Sequence, residues 1–385
     1  MPPLDALVSL CRRPTTGWAL VVLFAAFVPP VRAQILFTVT DLGTLGGTQS
    51  IASDINNSGQ IVGNSAVSSG LNHAFTYANG VMTDLGTLGG TQSYAYGINN
   101  SGQIVGESNN PTEGLSAFRY SAGSIVQLPN LGGMGVNNSS AAGINDSGLI
   151  AGLSYGWDGT AHAVLINGGT ITDLKTSEYA NLAMAINNSG QVAGYFWSAP
   201  LTQPRAFLYS GGSMTALGTL GGSSSSAEGM NDSGQVVGWS TTAGGADHAF
   251  LYSGGSMLDL GTLGGANSIA MQINNSGKVV GSSDSTAFLY SGGTMTNLNS
   301  VTDLSGSNFA SLESANAIND LGQIVGYGLT SGGDLHAFLL TPADLSPVPE
   351  PSTLGTFGAM ALLGLAARRV RRQRLERLQI HQPAQ

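Results

Sequence analysis

A seven-bladed β-propeller with four short strands in each blade is the fold this 385-residue sequence predicts, and three observations carry the prediction. One short phrase occurs in seven versions, the residues between them read as strands and tight turns, and the chain opens on a lone strand that its last unit lacks. A period in the forties with four strands per unit marks a propeller blade, whereas the coils of a β-solenoid, the runner-up, are usually much shorter.

The phrase is Ile-Asn-Asn-Ser-Gly-Gln-Ile-Val-Gly at 55–63, found again at 98–106, with relatives beginning at Ile144, Ile186, Met230, Ile273 and Ile318. Its turn glycines, Gly59, Gly102, Gly148, Gly190, Gly234, Gly277 and Gly322, are spaced 43, 46, 42, 44, 43 and 45 residues apart. In each unit a short apolar segment leads into Asn-Asn-Ser-Gly or a close variant and a second apolar segment follows. This is a hairpin whose turn uses Asn and Gly for positive φ. A second hairpin follows a loop: His248 to Tyr252 and Ser256 to Leu260 flank Gly254-Gly255. No helical periodicity of useful length is present. A sheet of four such strands cannot cover both of its faces alone, but sheets stacked face to face can.

The ends predict how the ring closes. Phe37 to Gly43 matches the fourth strand of a unit yet precedes any first strand, while the last unit offers His336 to Leu340 as its third strand and no convincing fourth. Blade 7 is therefore expected to be built from both ends, which removes an exposed sheet edge.

Outside the repeats lie two address segments. Residues 1–33 read as a signal peptide: Arg12 and Arg13, an apolar run from Trp18 to Val28, then Val31-Arg32-Ala33. The run is short of the roughly 20 residues a membrane-spanning helix needs, so export rather than an N-terminal anchor is expected. The only cysteine, Cys11, lies before this run, and removal of the leader leaves no thiol, hence no disulfide, thiolate metal site or cysteine nucleophile. The repeats occupy 34–345. At 346–385 the chain reads Pro349-Glu350-Pro351, an uncharged apolar stretch from Leu354 to Ala367, an arginine cluster from Arg368 to Arg377 and a short tail to Gln385. A C-terminal transmembrane helix with its arginines on the cytoplasmic side is expected there.

Pro-Glu-Pro, an apolar helix and an arginine cluster, in that order near a chain end, resemble the PEP-CTERM sorting signal. That resemblance implies an exosortase-type processing enzyme as partner, transient anchoring in the inner membrane, and delivery to the cell surface or extracellular matrix of a Gram-negative bacterium that makes exopolysaccharide. Sorting predicts cleavage near Pro349-Glu350-Pro351, whereas a plain anchor would stay attached. The His-Ala-Phe and Asp-Leu-Gly-Thr-Leu-Gly-Gly segments between residues 37 and 340 resemble the HAF-repeat family of probable extracellular proteins, a likeness that names no activity.

Charge narrows the partners. Charged residues make up 9% of the chain, and between residues 34 and 347 there are 4 basic against 19 acidic side chains, a formal charge of −15. Such a surface repels phosphate backbones, so nucleic-acid binding is not expected.

A pattern of pairs runs through the units. The residue before Ala-Phe or Ala-Val is His73, Ser116, His162, Arg205, His248, Thr286 and His336; eleven positions later stand Asp84, Gln127, Asp173, Ala216, Asp259 and Asn297. For the seventh unit the borrowed strand supplies Asp41. His is present only where Asp is present, and hairpin register puts the two on one face, diagonally opposed. A hydrogen bond tying each blade together is the reading that equivalent, separated copies favour; a ring of metal-binding or acid–base histidines is the alternative, although catalysis usually gathers unlike groups in one place. Turn chemistry likewise accounts for the Asn/Asp-rich turns, which lack the twelve-residue ligand spacing of an EF-hand. No metal or cofactor is expected.

Loops between the second and third strands and between blades vary in length, and variable loops on a rigid scaffold are where recognition usually sits. Trp157, Trp197 and Trp239 all follow the second strand, in units 3, 4 and 5, with Tyr155, Tyr195 and Phe196 nearby. Two readings stay open: Trp157, Trp197, Trp239 and Tyr195 form one aromatic patch that stacks on sugar rings, or each ring plugs its own loop. No nucleophile elbow, phosphate loop or metal-spaced His pair is present. The expectation is an exported, non-catalytic structural or binding module, with extracellular polysaccharide as its ligand; a propeller-fold polysaccharide hydrolase or lyase is the alternative.

Overall fold

The computed structural model describes residues 36–343 apart from 112–113, 133–137, 175–179 and 198–202. The leader at 1–33, the Pro349-Glu350-Pro351 motif and the apolar stretch expected to span a membrane lie outside the described residues. Within them, no helix is long and apolar enough to cross a membrane.

Seven antiparallel sheets carry the repeats, so the propeller read from the sequence is the fold observed. Blade 1 consists of Gly46–Ile55, Ile61–Val67, Asn72–Ala78 and Val81–Asp84. Blades 2 to 6 repeat it over 93–127, 139–173, 180–216, 221–261 and 268–297. Blade 7 takes Phe309–Ile318, Ile324–Thr330 and Leu335–Pro342 from the C-terminal end and Phe37–Asp41 from the N-terminal end. At the seam Phe37 pairs with Pro342 and Asp41 with Phe338. One feature was not foreseen: Thr302–Asp303, after a single helical turn at Leu298–Val301, pairs in parallel with Phe37 and Thr38 as a fifth strand. It covers the edge that the borrowed strand would otherwise expose.

The dipeptide after the His position explains why blades stack. Successive residues of a strand point to opposite faces. Phe250 accordingly packs into the core shared with blade 4, and Ala249 into the core shared with blade 6. Large thus meets small at every junction, and seven apolar clusters form, one between each pair of adjacent blades, including blades 7 and 1. The phenylalanines at 75, 118, 207, 250, 288 and 338 have no exposed surface.

Each innermost strand carries a β-bulge one turn before the Asn-rich hairpin, between Ala52 and Asp54 in blade 1 and at the matching place in the other six. The partner strand approaches so closely there that only glycine fits: a Cβ on Gly106 would lie 1.9 Å from the Tyr94 carbonyl oxygen. Bulges re-aim side chains, and here the extra residue of each blade borders the channel along the ring axis.

The hairpin turns also join the blades. Asn56 accepts backbone N–H groups of Ser58 and Gln60 through Oδ1, shaping its own turn, and donates through Nδ2 to the Asn99 carbonyl of the next blade. Asn99, Asn145, Asn187, Asn231 and Asn274 do the same, and Asn319 donates to Asn56, so seven amides close a ring at 3.0–3.1 Å. A second ring lies outside it: backbone N–H groups of Asn57, Asn100, Asp146, Asn188, Asp232, Asn275 and Asp320 each donate to the next side chain at 2.9–3.0 Å. Both rings cross the seam, the second through the Asp320 to Asn57 bond.

Candidate functional site

Three places hold chemistry-bearing side chains. The His–Asp pairs form the first. His73 donates through Nδ1 to Asp84 at 2.8 Å, His248 to Asp259 at 2.9 Å, and His162 to Asp173 and His336 to Asp41 at 3.0 Å each. Hairpin register accounts for this, since Phe75 pairs with Asp84 and Phe250 with Asp259. Asp41, Asp84 and Asp259 also accept the N–H of Gly43, Gly86 and Gly261, so each shapes the connector that leaves its strand. His162 differs. Its Nε2 lies 3.0 Å from Asp158 and 2.9 Å from the Thr160 hydroxyl. Among the described residues, no three His, Cys, Asp or Glu side chains gather as a metal site.

The second place is the channel along the ring axis, a polar cavity of about 270 Å³ bordered by all seven blades. Two positions before the turn Asn, five blades carry Gly97, Gly143, Ala185, Gly229 or Ala317; blades 1 and 6 carry Asp54 and Gln272 instead. Gln272 donates to Asp54 at 3.2 Å and accepts the Ile318 N–H, while Asp54 accepts the N–H groups of Ile55 and Ile98. Asp54 meets only the narrow channel, and burial pushes its carboxyl up to about 6 against the pull of these donors. Glu228, the bulge residue of blade 5, accepts from Ser226 and from the Trp239 indole, and burial raises its carboxyl. Tyr96, the bulge residue of blade 2, donates to Glu107, and burial raises its phenol, with the Glu107 charge adding to the shift. These groups were not singled out from the sequence. The break at Asp54 and Gln272 in a column of small residues was the available signal.

The aromatic residues form the third place, and they do not make one patch. Trp157 stands in the turn after the second strand of blade 3, 70% exposed, over the backbone of Gly132. Tyr195 and Trp197, two residues apart on one strand face, meet edge to face with centroids 4.9 Å apart. Trp239 corrects the expectation: it lies within Val236–Thr242, bound to Glu228 at the channel side. The strand runs on past it because Ser240 must accept the N–H of Leu220. Burial, and then the charge of Glu228, raise the Tyr195 phenol.

Trp197 also lines a cavity of about 350 Å³ between blades 3 and 4, with Leu153, Tyr155, Thr160, Ala161 and Leu182. A connector Leu (Leu45, Leu88, Leu131, Leu220 or Leu263) donates its N–H to a Ser on the second strand and packs in the junction of blades 1, 2, 3, 5 and 6 with their predecessors. At the Ser position blade 4 carries Phe196, which packs against the core shared with blade 3, and blade 7 carries Gly328 there with Val301 at the Leu position.

Comparisons place one segment of the chain. Residues 347–372 match the PEP-CTERM protein-sorting motif. No curated protein matches the chain. Similar solved structures include a putative TolB from Agrobacterium tumefaciens, 12% identical over 42% of this chain and 62% of that one, TM-score 0.36. A gluconolactonase from Xanthomonas campestris is 9% identical over 80% and 95%, TM-score 0.42. The Aleuria aurantia lectin in complex with Fucα1-6GlcNAc is 12% identical over 78% and 98%, TM-score 0.38. The chain spans less than two thirds of the length of the TolB structures it matches.

Proposed function

We propose that this exported propeller, which carries a PEP-CTERM signal, is a non-catalytic module of the cell surface or extracellular matrix that holds polysaccharide on aromatic side chains. The observation that carries this reading is that Tyr155 and Trp197 border one cavity of blades 3 and 4, with Tyr195 edge to face against Trp197, while Trp157 stands 70% exposed on blade 3. Aromatic faces offer apolar area to the C–H face of a sugar while polar edges remain for its hydroxyls. Orientation supports it. Ala343 donates to Leu36, and Pro342 lies beside the Gly322 turn, so the chain leaves the ring at the Asn-turn end. The segment that matches the sorting motif, and so implies an exosortase-type processing enzyme, follows that end in sequence, opposite the loop end.

Affinity electrophoresis in gels containing the producing cell's exopolysaccharide tests the proposal. The wild type should be retarded and W157A/W197A should migrate as in a sugar-free gel. Equal retardation of both would remove the aromatic residues from the mechanism. Incubation with the same polymer should release no new reducing ends or unsaturated sugars; their release would establish the hydrolase or lyase reading instead.

A further inference from the structure

Resting on that reading, we infer that the turn between the second and third strands of blade 3, residues 156–160, engages the polysaccharide through Trp157, and that His162 gates it: protonated on both ring nitrogens it fixes the turn, and loss of one proton releases it.

Four blades supply the comparison. In blades 1, 3, 5 and 7 the same five-residue turn joins these strands, at 67–71, 156–160, 242–246 and 330–334: the first residue donates its N–H to the carbonyl of the fifth, and the glycine at the fourth place donates to the carbonyl of the first, at 2.8–3.0 Å. The histidine of each His–Asp pair stands two residues beyond the turn. At the second and third places blades 1, 5 and 7 carry Ser68-Ser69, Ala243-Gly244 and Ser331-Gly332, whereas blade 3 carries Trp157-Asp158. Its first residue is Gly156, where the others have Val67, Thr242 and Thr330. A Cβ on Gly156 would lie 3.0 Å from Asp158 Oδ1 and 3.1 Å from His162 Nε2, so the glycine leaves the room in which the two meet. Of the described aromatic side chains Trp157 is the most exposed, and its indole face is open to stack on a sugar.

Among the described residues, the histidines of blades 1, 5 and 7 meet a carboxylate through Nδ1 alone, a bond that a neutral ring can donate. His162 meets Asp173 through Nδ1 and Asp158 through Nε2, each at 3.0 Å. Ionised carboxylates only accept, so both bonds together need the imidazolium. The Thr160 N–H first, then the Thr160 hydroxyl and His162, hold the Asp158 carboxyl below the ordinary carboxylate range against the opposing effect of burial. When the ring gives a proton to solvent, Nδ1–H stays with Asp173 and Nε2 becomes an acceptor. The Thr160 hydroxyl, 2.9 Å away, then turns from Asp158 to Nε2, and Asp158 keeps only the Thr160 N–H. The turn thereby loses the bond that ties its third residue to the strand. Asp158 and, from the fourth strand, Asp173 are the charged groups facing the ring. The second strand places Ser154 opposite His162, with Tyr155 on the other face. Connector 128–132 from blade 2 and strand Ala180–Ile186 of blade 4 carry no charge. Lys175 and Glu178 lie outside the described residues.

Affinity electrophoresis in the producing cell's exopolysaccharide at about pH 5.5 and about pH 8.5, each against a sugar-free gel, tests the gate beside amide NMR of the intact protein. Wild type should bind about two- to fivefold tighter at the lower pH, the size of one ion pair whose carboxylate is 55% exposed. W157A should be less retarded at both. D158N keeps an oxygen for the Thr160 N–H and gains an amide that a neutral ring can accept, so it should bind equally at the two pH values, while H248Q in blade 5 should keep the wild-type difference. The Gly156 and Gly159 amide signals should move with pH in wild type and hold still in D158N. Wild-type retardation equal at the two pH values, or a pH difference that D158N retains, would overturn the gate and leave polysaccharide binding standing. Undiminished retardation of W157A would remove the turn from binding. A wild type retarded at neither pH would overturn the polysaccharide reading itself.

Discussion

Replacing Asp41 by Ala tests whether the ring is held shut at blade 7 by more than backbone pairing. The Asp41 carboxylate accepts three donors: His336 Nδ1 at 3.0 Å, the Gly43 N–H at 2.8 Å and Asn308 Nδ2 at 2.9 Å. Asp41 and His336 are 15% and 20% exposed, so water replaces these bonds only in part. Hydrogen bonds to charged groups contribute about 1.5–3 kcal/mol each when buried; with Gly43 and Asn308 able to turn to water, the expected loss is about 2–3 kcal/mol. For a domain of about 300 residues, unfolding with an entropy of about 2.1 cal/mol/K per residue, that is a fall in Tm of about 3–5 °C by calorimetry. The control is D84A in blade 1. That carboxylate has two of the three donors and is 39% exposed, so solvent screens it and roughly 1 kcal/mol or less is expected. Burial alone would raise the Asp41 carboxyl, but Asn308, Gly43 and His336 together hold it below 3.8. A depressed carboxyl stabilises the fold above its unfolded value and loses that contribution as pH falls through the folded one. The gap between wild type and D41A should therefore be full at pH 6 and shrink below about pH 4. Equal losses in D41A and D84A would show that the seam depends on its strands alone, and a gap undiminished at pH 2 would show that the contribution does not come from the carboxylate charge.

Two further outcomes follow from the channel end of the ring. Asn187→Ala removes a buried amide that donates to Asn231 and accepts the N–H groups of Ser189 and Gln191; chemical denaturation should show a loss of about 2–4 kcal/mol, and a loss under about 0.5 kcal/mol would mean the amide ring is incidental. For Asp54, a carboxyl raised from 3.8 to about 6 contributes stability that is present below pH 4 and lost as pH rises through 6. The stability of D54N relative to wild type should thus improve by up to about 3 kcal/mol between pH 4 and pH 7, and parallel pH profiles would contradict the assignment.

Blade number and seam were legible because each depends on local chemistry that recurs: Asn and Gly at a turn, Ala-Phe across a strand, Asp eleven residues after His. Asp41 could be assigned to His336 across the chain because a repeat with one strand missing names its substitute. The channel was not legible. Its lining is set by a bulge, which shifts alternation by one residue and turns Tyr96, Glu228 and Asn316 toward the axis, where strict period-two reading would send them elsewhere. Trp239 was placed on a loop because strand ends are not written in the Trp itself but in the need of Ser240, one residue on, to reach the connector.

Departures from the repeat separate into two kinds, and the difference bears on where binding is sought. At the channel, Asp54 and Gln272 replace small residues yet satisfy each other and the N–H groups of Ile98 and Ile318, so the departure completes a bond network that ties four blades. At blades 4 and 7 the departures change the connector instead. Phe196 and Gly328 stand where the other five blades carry the anchoring Ser, Val301 stands where blade 7 would carry the connector Leu, and Phe196 itself packs against the core shared with blade 3. Beside Phe196, Tyr155 and Trp197 border an apolar cavity of about 350 Å³, so two of the aromatic side chains proposed to hold sugar lie where the repeated anchor is replaced.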